Sequence, residues 1–259
     1  MGHVITLATD FGAHGGYVAA MKGVILGIAP GVSLVDISHE VAPQDVAGAA
    51  YLLAGVYRFF PPATVHLVVV DPGVGTERRG LAARAGGHLF VAPDNGLLTP
   101  TLDASPGAEI VSLTNAAYWR REVSHTFHGR DIFAPVAAHL ASGVPLEALG
   151  TPVHDPVRLG LPSPRATGGT VEGMVIWVDR FGNLVTNIPA DVLLPGETYR
   201  VTVGRLTVAG LFTTYAQVRA GQPLALVGSH GFIEVAVREG SAAEMAGAGR
   251  GATVRLEPG

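Results

Sequence analysis

A carboxylate, a guanidinium and an imidazole stand in two short segments of this chain where their side chains could meet. Asp71 follows the apolar run Val68–Val70 and begins a glycine-rich turn, and Arg78 comes seven residues later. His128 lies in a second segment, Ser124–Asp131, directly before a glycine that would let a ligand approach closely. A guanidinium beside a carboxylate keeps the carboxylate charged and a weak base, whereas an imidazole with a pKa of about 6.5 exchanges its proton near neutral pH. These residue types predict a site for proton transfer, with His128 as the preferred proton acceptor and Asp71 as the alternative.

The strand pattern before each acidic residue predicts where that residue lies. Val65–Val70 is typical of a buried parallel strand, and the proline and glycines after Asp71 can only form a turn. Asp10 likewise ends the first strand pattern, in the sequence Thr9-Asp10-Phe11-Gly12. Open α/β sheets bind their ligands at the carboxyl edge of the strands, so both carboxylates are expected there. Asp10 either accepts hydrogen bonds from ribose hydroxyls or caps the next turn.

The segment Ser124–Asp131 also allows a metal site, because His125 and His128 are three residues apart and Asp131 follows. We favour a single catalytic histidine, since the ten histidines of the chain lack the helical H-E-x-x-H spacing. The turn after Asp71 also lacks the glycine spacing of a dinucleotide-binding loop.

The pattern of predicted strands and helices divides the chain into two parts. Up to about Leu159, short apolar strands alternate with helical patterns, which favours an α/β domain with a mostly parallel sheet. Farther on, short β-type runs separated by turns predict a smaller all-β, barrel-like domain. We therefore predict an N-terminal α/β domain over residues 1–160, a proline- and glycine-rich linker over 161–170 and a C-terminal β-barrel domain over 171–259.

The predicted elements follow from hydrophobic periodicity. In the first domain they are strands at Val4–Ala8, Leu34–Ile37, Val65–Val70, Leu89–Ala92 and Ile110–Leu113 and helices at Tyr17–Ala29, Gln44–Phe59 and Ile132–Ser142. In the second they are strands at Thr170–Val178, Glu197–Val203, Leu206–Val208, Leu224–Val227, Phe232–Val237 and Ala252–Leu256. Polar residues of this domain are expected at turns, namely those of Asp179–Asn183 and Thr186–Ile188 and the run Gly228–Gly231 with Glu234.

Composition narrows the classes of partner. The 259 residues include 17 Lys+Arg and 21 Asp+Glu, a formal charge of −4 without a basic run, so neither nucleic acid nor an anionic membrane is an expected partner. Without cysteine, the chain cannot form disulfides, thiolate zinc sites or a cysteine nucleophile. No stretch approaches the ~18 uninterrupted apolar residues of a membrane span, and no signal-peptide pattern is visible, so we expect a soluble cytoplasmic protein.

Several segments together resemble one family. In order they are TDFG near the start, DISHEVAPQDV, VVVDPGVGTERRG, APDNGLL, TFHGRDIFAPVAAHL, DRFGNLVTNI and GSHGFIEVAV. This order is similar to that of the S-adenosyl-L-methionine (SAM) hydroxide adenosyltransferases, adenosine-forming hydrolases related to fluorinating and chlorinating enzymes. The resemblance spans nearly the whole chain. It implies an α/β domain, a C-terminal β barrel and a homotrimer in which each active site lies between one subunit's N-terminal domain and the next subunit's C-terminal domain.

The resemblance also implies roles for single residues. Asp71, Arg78 and His128 match the residues around the attacking water, and Asp10 matches the ribose-binding carboxylate. Further candidates for binding the substrate are Phe127, Asp179, Asn183, Tyr215, Ser229 and Glu234. Among them, Asp179 matches a carboxylate that meets the methionine ammonium. The sequence Arg238–Ala242 departs from the Asn-x-Gly-Asn-Ala of many relatives, so no side-chain contact with the substrate is assigned there.

The implied reaction is hydrolysis of SAM to adenosine and L-methionine by attack of water on the ribose C5′. Since a sulfonium is a good leaving group, the protein needs mainly to hold water in line and accept a proton, and no metal or other cofactor is required. Alternatives are halide attack on the same substrate, a non-catalytic adenosine- or SAM-binding module, and a metal-dependent phosphoesterase built on Asp10, Asp94 and histidines. The presence of Asp71, Arg78 and His128 together favours hydroxide over halide.

Overall fold

The buried run before Asp71 forms a central strand in the computed structural model of this chain, which describes residues 4–259. The chain divides into two compact units, the first ending at Leu159 and the second beginning at Gly160. Each unit has hydrophobic clusters of its own. Residues 1–3 of the predicted N-terminal domain lie outside the described residues.

The first unit alternates strands and helices along the chain. Its elements are β1 (Val4–Thr9), α1 (Tyr17–Ile28), β2 (Ser33–Ser38), α2 (Val46–Val56), β3 (Val65–Val69), β4 (Gly80–Ala85), β5 (His88–Pro93), α3 (Thr99–Asp103), β6 (Glu109–Leu113), α4 (Ala134–Ala141) and β7 (Gly150–Pro152). Shorter turns of 3₁₀-helix lie at Tyr57–Phe59, Ala116–Tyr118 and Leu146–Leu149, and a π-helical turn spans Gly129–Phe133.

The strands of this unit form a mixed sheet in the order β2-β1-β3-β5-β4-β6-β7. The pairs from β2 to β5 are parallel, and those from β5 to β7 are antiparallel. The α/β class is therefore confirmed, with an antiparallel half that the sequence pattern does not reveal.

Helices cover both faces of the sheet, which explains why every residue of β3 is buried. Leu67 and Val69 pack in the cluster that includes residues of α1 and α4, whereas Val68 and Val70 pack in the cluster that includes residues of α2 and α3. Because β1 and β3 are parallel and Thr9 lies opposite Val69, Asp10 and Asp71 leave the sheet at the same carboxyl edge.

The second unit is antiparallel and barrel-like. Its elements are β8 (Arg165–Thr167), β9 (Thr170–Val178), β10 (Leu184–Pro189), β11 (Tyr199–Val203), β12 (Leu206–Ala209), β13 (Pro223–Val227), β14 (Phe232–Val237), α5 (Ala242–Ala246) and β15 (Thr253–Pro258). The strand order is β12-β11-β15-β9-β10-β14-β13, and β8 pairs with β9. This arrangement confirms the predicted all-β class.

Several details differ from the sequence-based expectations. β4 follows the Asp71 turn where no strand was predicted, and β8 lies within the segment predicted as a linker. Thr186–Ile188 belong to β10 and Glu234 to β14, so these polar residues are not at turns. Burial explains why Thr186 is compatible with a strand, because its hydroxyl donates a hydrogen bond to the Ile233 carbonyl inside the unit. The predicted helix Ile132–Ser142 is α-helical only from Ala134, after the π-helical turn.

No helix within residues 4–259 is long and apolar enough to cross a membrane.

Two histidines lie in the interior of the first unit. His66 is fully buried, with Nδ1 2.8 Å from the Thr6 hydroxyl oxygen and Nε2 3.2 Å from Nδ1 of His88. Burial and the nearby His88 lower the pKa of His66 to about 3. The folded protein therefore holds His66 neutral at pH values where an exposed histidine is charged.

We expect the free energy of unfolding to fall on acidification because of His66. The unfolded chain binds a proton there near pH 6.5, whereas the folded chain does so only near pH 3. The corresponding stability is complete above about pH 6.5 and is lost as the pH falls towards 3, at up to about 1.4 kcal/mol per pH unit. Urea unfolding across this range should give a shallower pH dependence for His66→Gln than for the unmodified chain. Equal slopes would contradict the expectation.

Candidate active site

The turn after β3 returns the chain to Asp71. The Val74 N–H donates to the Asp71 carbonyl, and the Thr76 N–H and hydroxyl both donate to the Gly73 carbonyl. A Cβ at Gly73 would lie 3.2 Å from Cγ of Arg78, so glycine leaves room for the arginine side chain to pass over the turn. This local structure explains how residues seven apart in sequence come into contact.

Asp71 and Arg78 form a forked ion pair. Nε of Arg78 donates to both carboxylate oxygens, at 2.9 and 3.0 Å, and Nη2 makes a further short contact with Oδ2. The side chains are only 5% and 12% exposed, so the pair is largely removed from water. Each charge depends on the other, because an unpaired charge at this depth would be costly.

His128 completes the predicted group of three. Its Nδ1 lies 2.9 Å from Nη2 of Arg78, the same nitrogen that contacts Asp71. Burial, followed by the positive charge of Arg78, lowers the pKa of His128 below its usual value. The expectation of an ordinary histidine pKa was therefore wrong, and the ring is neutral at pH 7.

The contact with Arg78 also fixes the tautomer of His128. A guanidinium has only donor groups, so Nδ1 must accept, and the proton of the neutral ring lies on Nε2. The lone pair that could take a proton is thus already engaged by Arg78. Asp71, whose two oxygens offer about four lone-pair positions, keeps acceptor capacity after three contacts with Arg78.

Asp131 holds the loop that carries His128. Its fully buried carboxylate accepts hydrogen bonds from the side chains of Arg120 and Arg130 and from the Ser124 N–H. Although burial alone would raise it, these donors lower the pKa of Asp131 to about 2. Both oxygens are used in this way, so Asp131 does not serve the metal site considered with His125 and His128. Residues 4–259 contain no group of three or more His, Asp and Glu side chains placed to hold a metal ion.

Two residues after β5 stabilise the same edge of the sheet. Nδ2 of Asn95 donates to the Val70 carbonyl, which fixes the backbone just before Asp71. Asp94 is buried and accepts from Arg79 and from the Val157 N–H, so it is not available for the phosphoesterase alternative. The role of Asn95 was missed, although it lies in the segment APDNGLL, whose position after a strand end was a usable signal.

Asp10 and Phe127 lie near the edge that carries the three residues. One oxygen of Asp10 accepts from the Gln44 N–H at 2.9 Å. The Phe127 ring, next to His128 in sequence, packs edge-on against Phe11 and Tyr17 with centroids 5.8 and 5.2 Å apart. These aromatic side chains give this edge an apolar surface beside the polar group.

Four of the five candidates in the second unit form an acidic cluster. Asp179 accepts hydrogen bonds from the Asn183 N–H and side chain, and the Tyr215 hydroxyl donates to Glu234 at 2.6 Å. Burial raises the pKa of Glu234, and the negative charge of Asp179 raises it further, even though the Tyr215 hydrogen bond opposes the shift. Burial and Glu234 also raise the pKa of Tyr215. Two neighbouring carboxylates in such surroundings favour a positively charged ligand.

Ser229 is less closely tied to this cluster. It lies in the exposed turn between β13 and β14, where its hydroxyl oxygen is 3.4 Å from Nδ1 of His230. The preceding Gly228 lies against Glu234, since a Cβ there would be 2.9 Å from Oε2. The turn that presents Ser229 therefore packs directly over the Glu234 carboxylate.

Comparison with known families gives matches in both units. Residues 5–150 match the family model described as SAM hydroxide adenosyltransferase N-terminal domain, and residues 173–255 match the corresponding C-terminal domain. A protein named (R)-S-adenosyl-L-methionine hydrolase from Salinispora tropica is 42% identical over 98% of each chain. One of the same name from Thermus thermophilus is 42% identical over 96% of this chain and 97% of its own. A fluorinase from an Actinoplanes species is 31% identical over 90% of each chain.

Among solved structures, an uncharacterized conserved protein from Thermotoga maritima is similar over 98% of this chain and 99% of its own. It has a TM-score of 0.92 and 39% sequence identity.

The contact between the two loops of this site can be tested at Gly75. Its φ is +80°, and a Cβ there would lie 2.6 Å from the His125 carbonyl oxygen. Gly87 has a φ of +82° with nothing within 4 Å of its Cβ position, which makes it a matched control. We expect Gly87→Ala to lose about 1–2 kcal/mol of unfolding free energy through backbone strain, and Gly75→Ala to lose about 1–3 kcal/mol more through the clash. Equal losses in urea unfolding would show that the loops are not held in contact.

Proposed function

Because this chain belongs to the SAM hydroxide adenosyltransferase family, we propose that it hydrolyses S-adenosyl-L-methionine to adenosine and L-methionine. The observation that carries the proposal is the hydrogen-bonded group of Asp71, Arg78 and His128 at a sheet edge. This group combines a charged hydrogen-bond acceptor with a neutral imidazole donor, and such a pair can orient one water molecule.

We propose that Asp71 accepts a hydrogen bond from the attacking water, and that Nε2–H of His128 is available to donate one. Water attacks C5′ of the ribose, the new C–O bond forms as the C–S bond breaks, and the bonding electrons pass to sulfur. Sulfur leaves as the neutral thioether of methionine, and the proton passes from the water through Asp71 to solvent. A weak base is sufficient because the positively charged sulfur leaves readily. This scheme assigns to Asp71 the acceptor role that sequence reasoning preferred for His128.

The other candidates fit the two ends of the substrate. We propose that Asp10 binds the ribose hydroxyls, with Phe127 contributing an apolar surface nearby. Asp179 and Glu234 are proposed to bind the methionine ammonium, with Tyr215 holding Glu234 in place. Asn183 and Ser229 would supply polar contacts to the adenine or methionine portions.

The relatives' names suggest a finer specificity. Relatives that are 42% identical are named for the (R) form of S-adenosyl-L-methionine, which points to the configuration at sulfur. We propose that this chain prefers the same epimer.

Assembly and location are proposed on the family resemblance alone. We propose that three copies of the chain associate and that the protein acts in the cytoplasm. The candidate residues are divided between two units, which is consistent with sites that need more than one subunit.

The proposed reaction is tested by giving the purified protein a mixture of the two sulfonium epimers of SAM. We expect adenosine and methionine to form in equal amounts, with the (R) epimer consumed first and chloride or fluoride without effect on the products. Chromatography of the nucleosides and NMR of the remaining epimers provide the measurements. A 5′-halogenated adenosine as the main product would move the assignment to halide transfer, and binding without turnover would leave only a SAM-binding module.

Variants of Asp71 and His128 separate their proposed roles. Asp71→Asn should lower kcat by about 10²–10⁴-fold with a smaller change in adenosine affinity, because it weakens the acceptor for water.

His128→Asn keeps an oxygen that can accept from Arg78 but cannot titrate. In the unmodified protein, kcat should fall as the pH drops through the pKa of His128, below about 6.5, because protonated Nδ1 no longer accepts from Arg78. That acidic limb should disappear in His128→Asn, and its persistence there would assign the titration to another group.

A further inference from the structure

The Arg78 guanidinium has a further neighbour, the aromatic ring of Phe133. Cζ of Arg78 lies 5.0 Å from the ring centroid of Phe133, a fully buried side chain at the end of the π-helical turn Gly129–Phe133. A guanidinium over an aromatic face at this distance is attracted by the ring and loses freedom to rotate. Phe133 therefore restrains the guanidinium that meets Asp71 and His128.

The chain makes room for this ring at one position. A Cβ at Gly80 would lie only 2.7 Å from Cε1 of Phe133 and 3.2 Å from Cδ1 of Leu113. The backbone of Gly80 is not in the left-handed region, so its role is to leave space and not to form a turn. Because Gly80 begins β4 two residues after Arg78, the strand start and the ring are held together.

The π-helical turn links this support to His128. The turn begins directly after His128 and ends at Phe133, so one short segment places both an imidazole and an aromatic ring against the guanidinium. π-Helical turns are rare and occur often at functional sites, where they shift side chains relative to a regular α-helix. Here the shift has an identifiable result, because both residues contact Arg78.

We propose that Phe133 is a positioning residue for the hydrolysis, which orients Arg78 through its aromatic face, and that Gly80 is required to admit it. This inference rests on the proposed function. Phe133 is not proposed to touch the substrate, so its effect should appear in kcat and in the state of His128 more than in adenosine affinity.

Phe133→Met tests the proposal, because methionine keeps a buried apolar side chain of similar length but has no ring. Phe90→Met is the matched control, since Phe90 is also fully buried in the first unit but packs in the cluster on the other side of the sheet. We expect kcat to fall about tenfold or more in Phe133→Met, with adenosine affinity changed less than about twofold, and to change little in Phe90→Met at a similar loss of stability.

NMR titration of His128 gives a readout that does not require turnover. Arg78 lowers the pKa of His128, so a displaced guanidinium should let that pKa rise in Phe133→Met but not in Phe90→Met. The other charged groups that act on His128, namely Asp71, Asp131 and His125, are left in place. Gly80→Ala, which moves the ring without removing it, should shift the pKa of His128 in the same direction. This variant replaces Phe133→Met in the test if Phe133→Met does not fold.

An unchanged His128 titration in both Phe133→Met and Gly80→Ala, or an equal loss of kcat in the Phe90 control, would overturn the positioning role. If the unmodified protein does not hydrolyse SAM, the proposed function fails, and the titration alone then decides whether Phe133 orients Arg78.

Discussion

The buried ion pair between Asp71 and Arg78 is the interaction on which the candidate site depends. Removing a carboxylate and a guanidinium from water is expensive, and the cost is recovered only when geometry and hydrogen bonding are good. The fork from Nε and Nη2 meets this requirement. The features around the pair can be understood as conditions for it: a strand end that presents Asp71, a glycine turn that returns Arg78, and Asn95, which fixes the carbonyl before Asp71.

The ion pair in turn determines the state of the imidazole. Arg78 donates to Nδ1 of His128, which keeps the ring neutral and leaves its proton on Nε2. A histidine that sequence reasoning treats as an ordinary base thereby becomes a hydrogen-bond donor, and acceptor capacity remains with the carboxylate. The structure brings the same three residues together, but the roles proposed for them follow from contacts that the sequence does not contain.

Much of the fold was predictable, and the failures have physical causes. β3 and the end of β1 were recognised because apolar runs stop abruptly at Asp71 and Asp10. β4 was missed because its sequence GLAARA is rich in alanine, which has a low strand propensity; it forms a strand because β5 and β6 pair with it on both sides. β10 was not predicted because the polar residues Thr186 and Asn187 interrupt its apolar pattern. Their buried side chains form hydrogen bonds with backbone groups elsewhere in the unit. The π-helical turn has no periodic signal, so neither Phe133 nor Gly80 could be recognised from the sequence.

The charge distribution bears on the choice between water and halide. Asp71, Arg78 and neutral His128 sum to zero charge, so this group has no excess positive charge to attract an anion. Contacts with Asp71 and His128 engage Nε and Nη2 of Arg78, the edge of the guanidinium that a halide would otherwise use. A neutral water needs no compensating charge and gains from an acceptor and a donor placed together. In the second unit, the carboxylates of Asp179 and Glu234 supply negative charge that suits an ammonium group. A substrate with a positive sulfur and a positive nitrogen, attacked by water, agrees with both distributions, whereas a halide would find two of the three nitrogens of the Arg78 guanidinium already engaged.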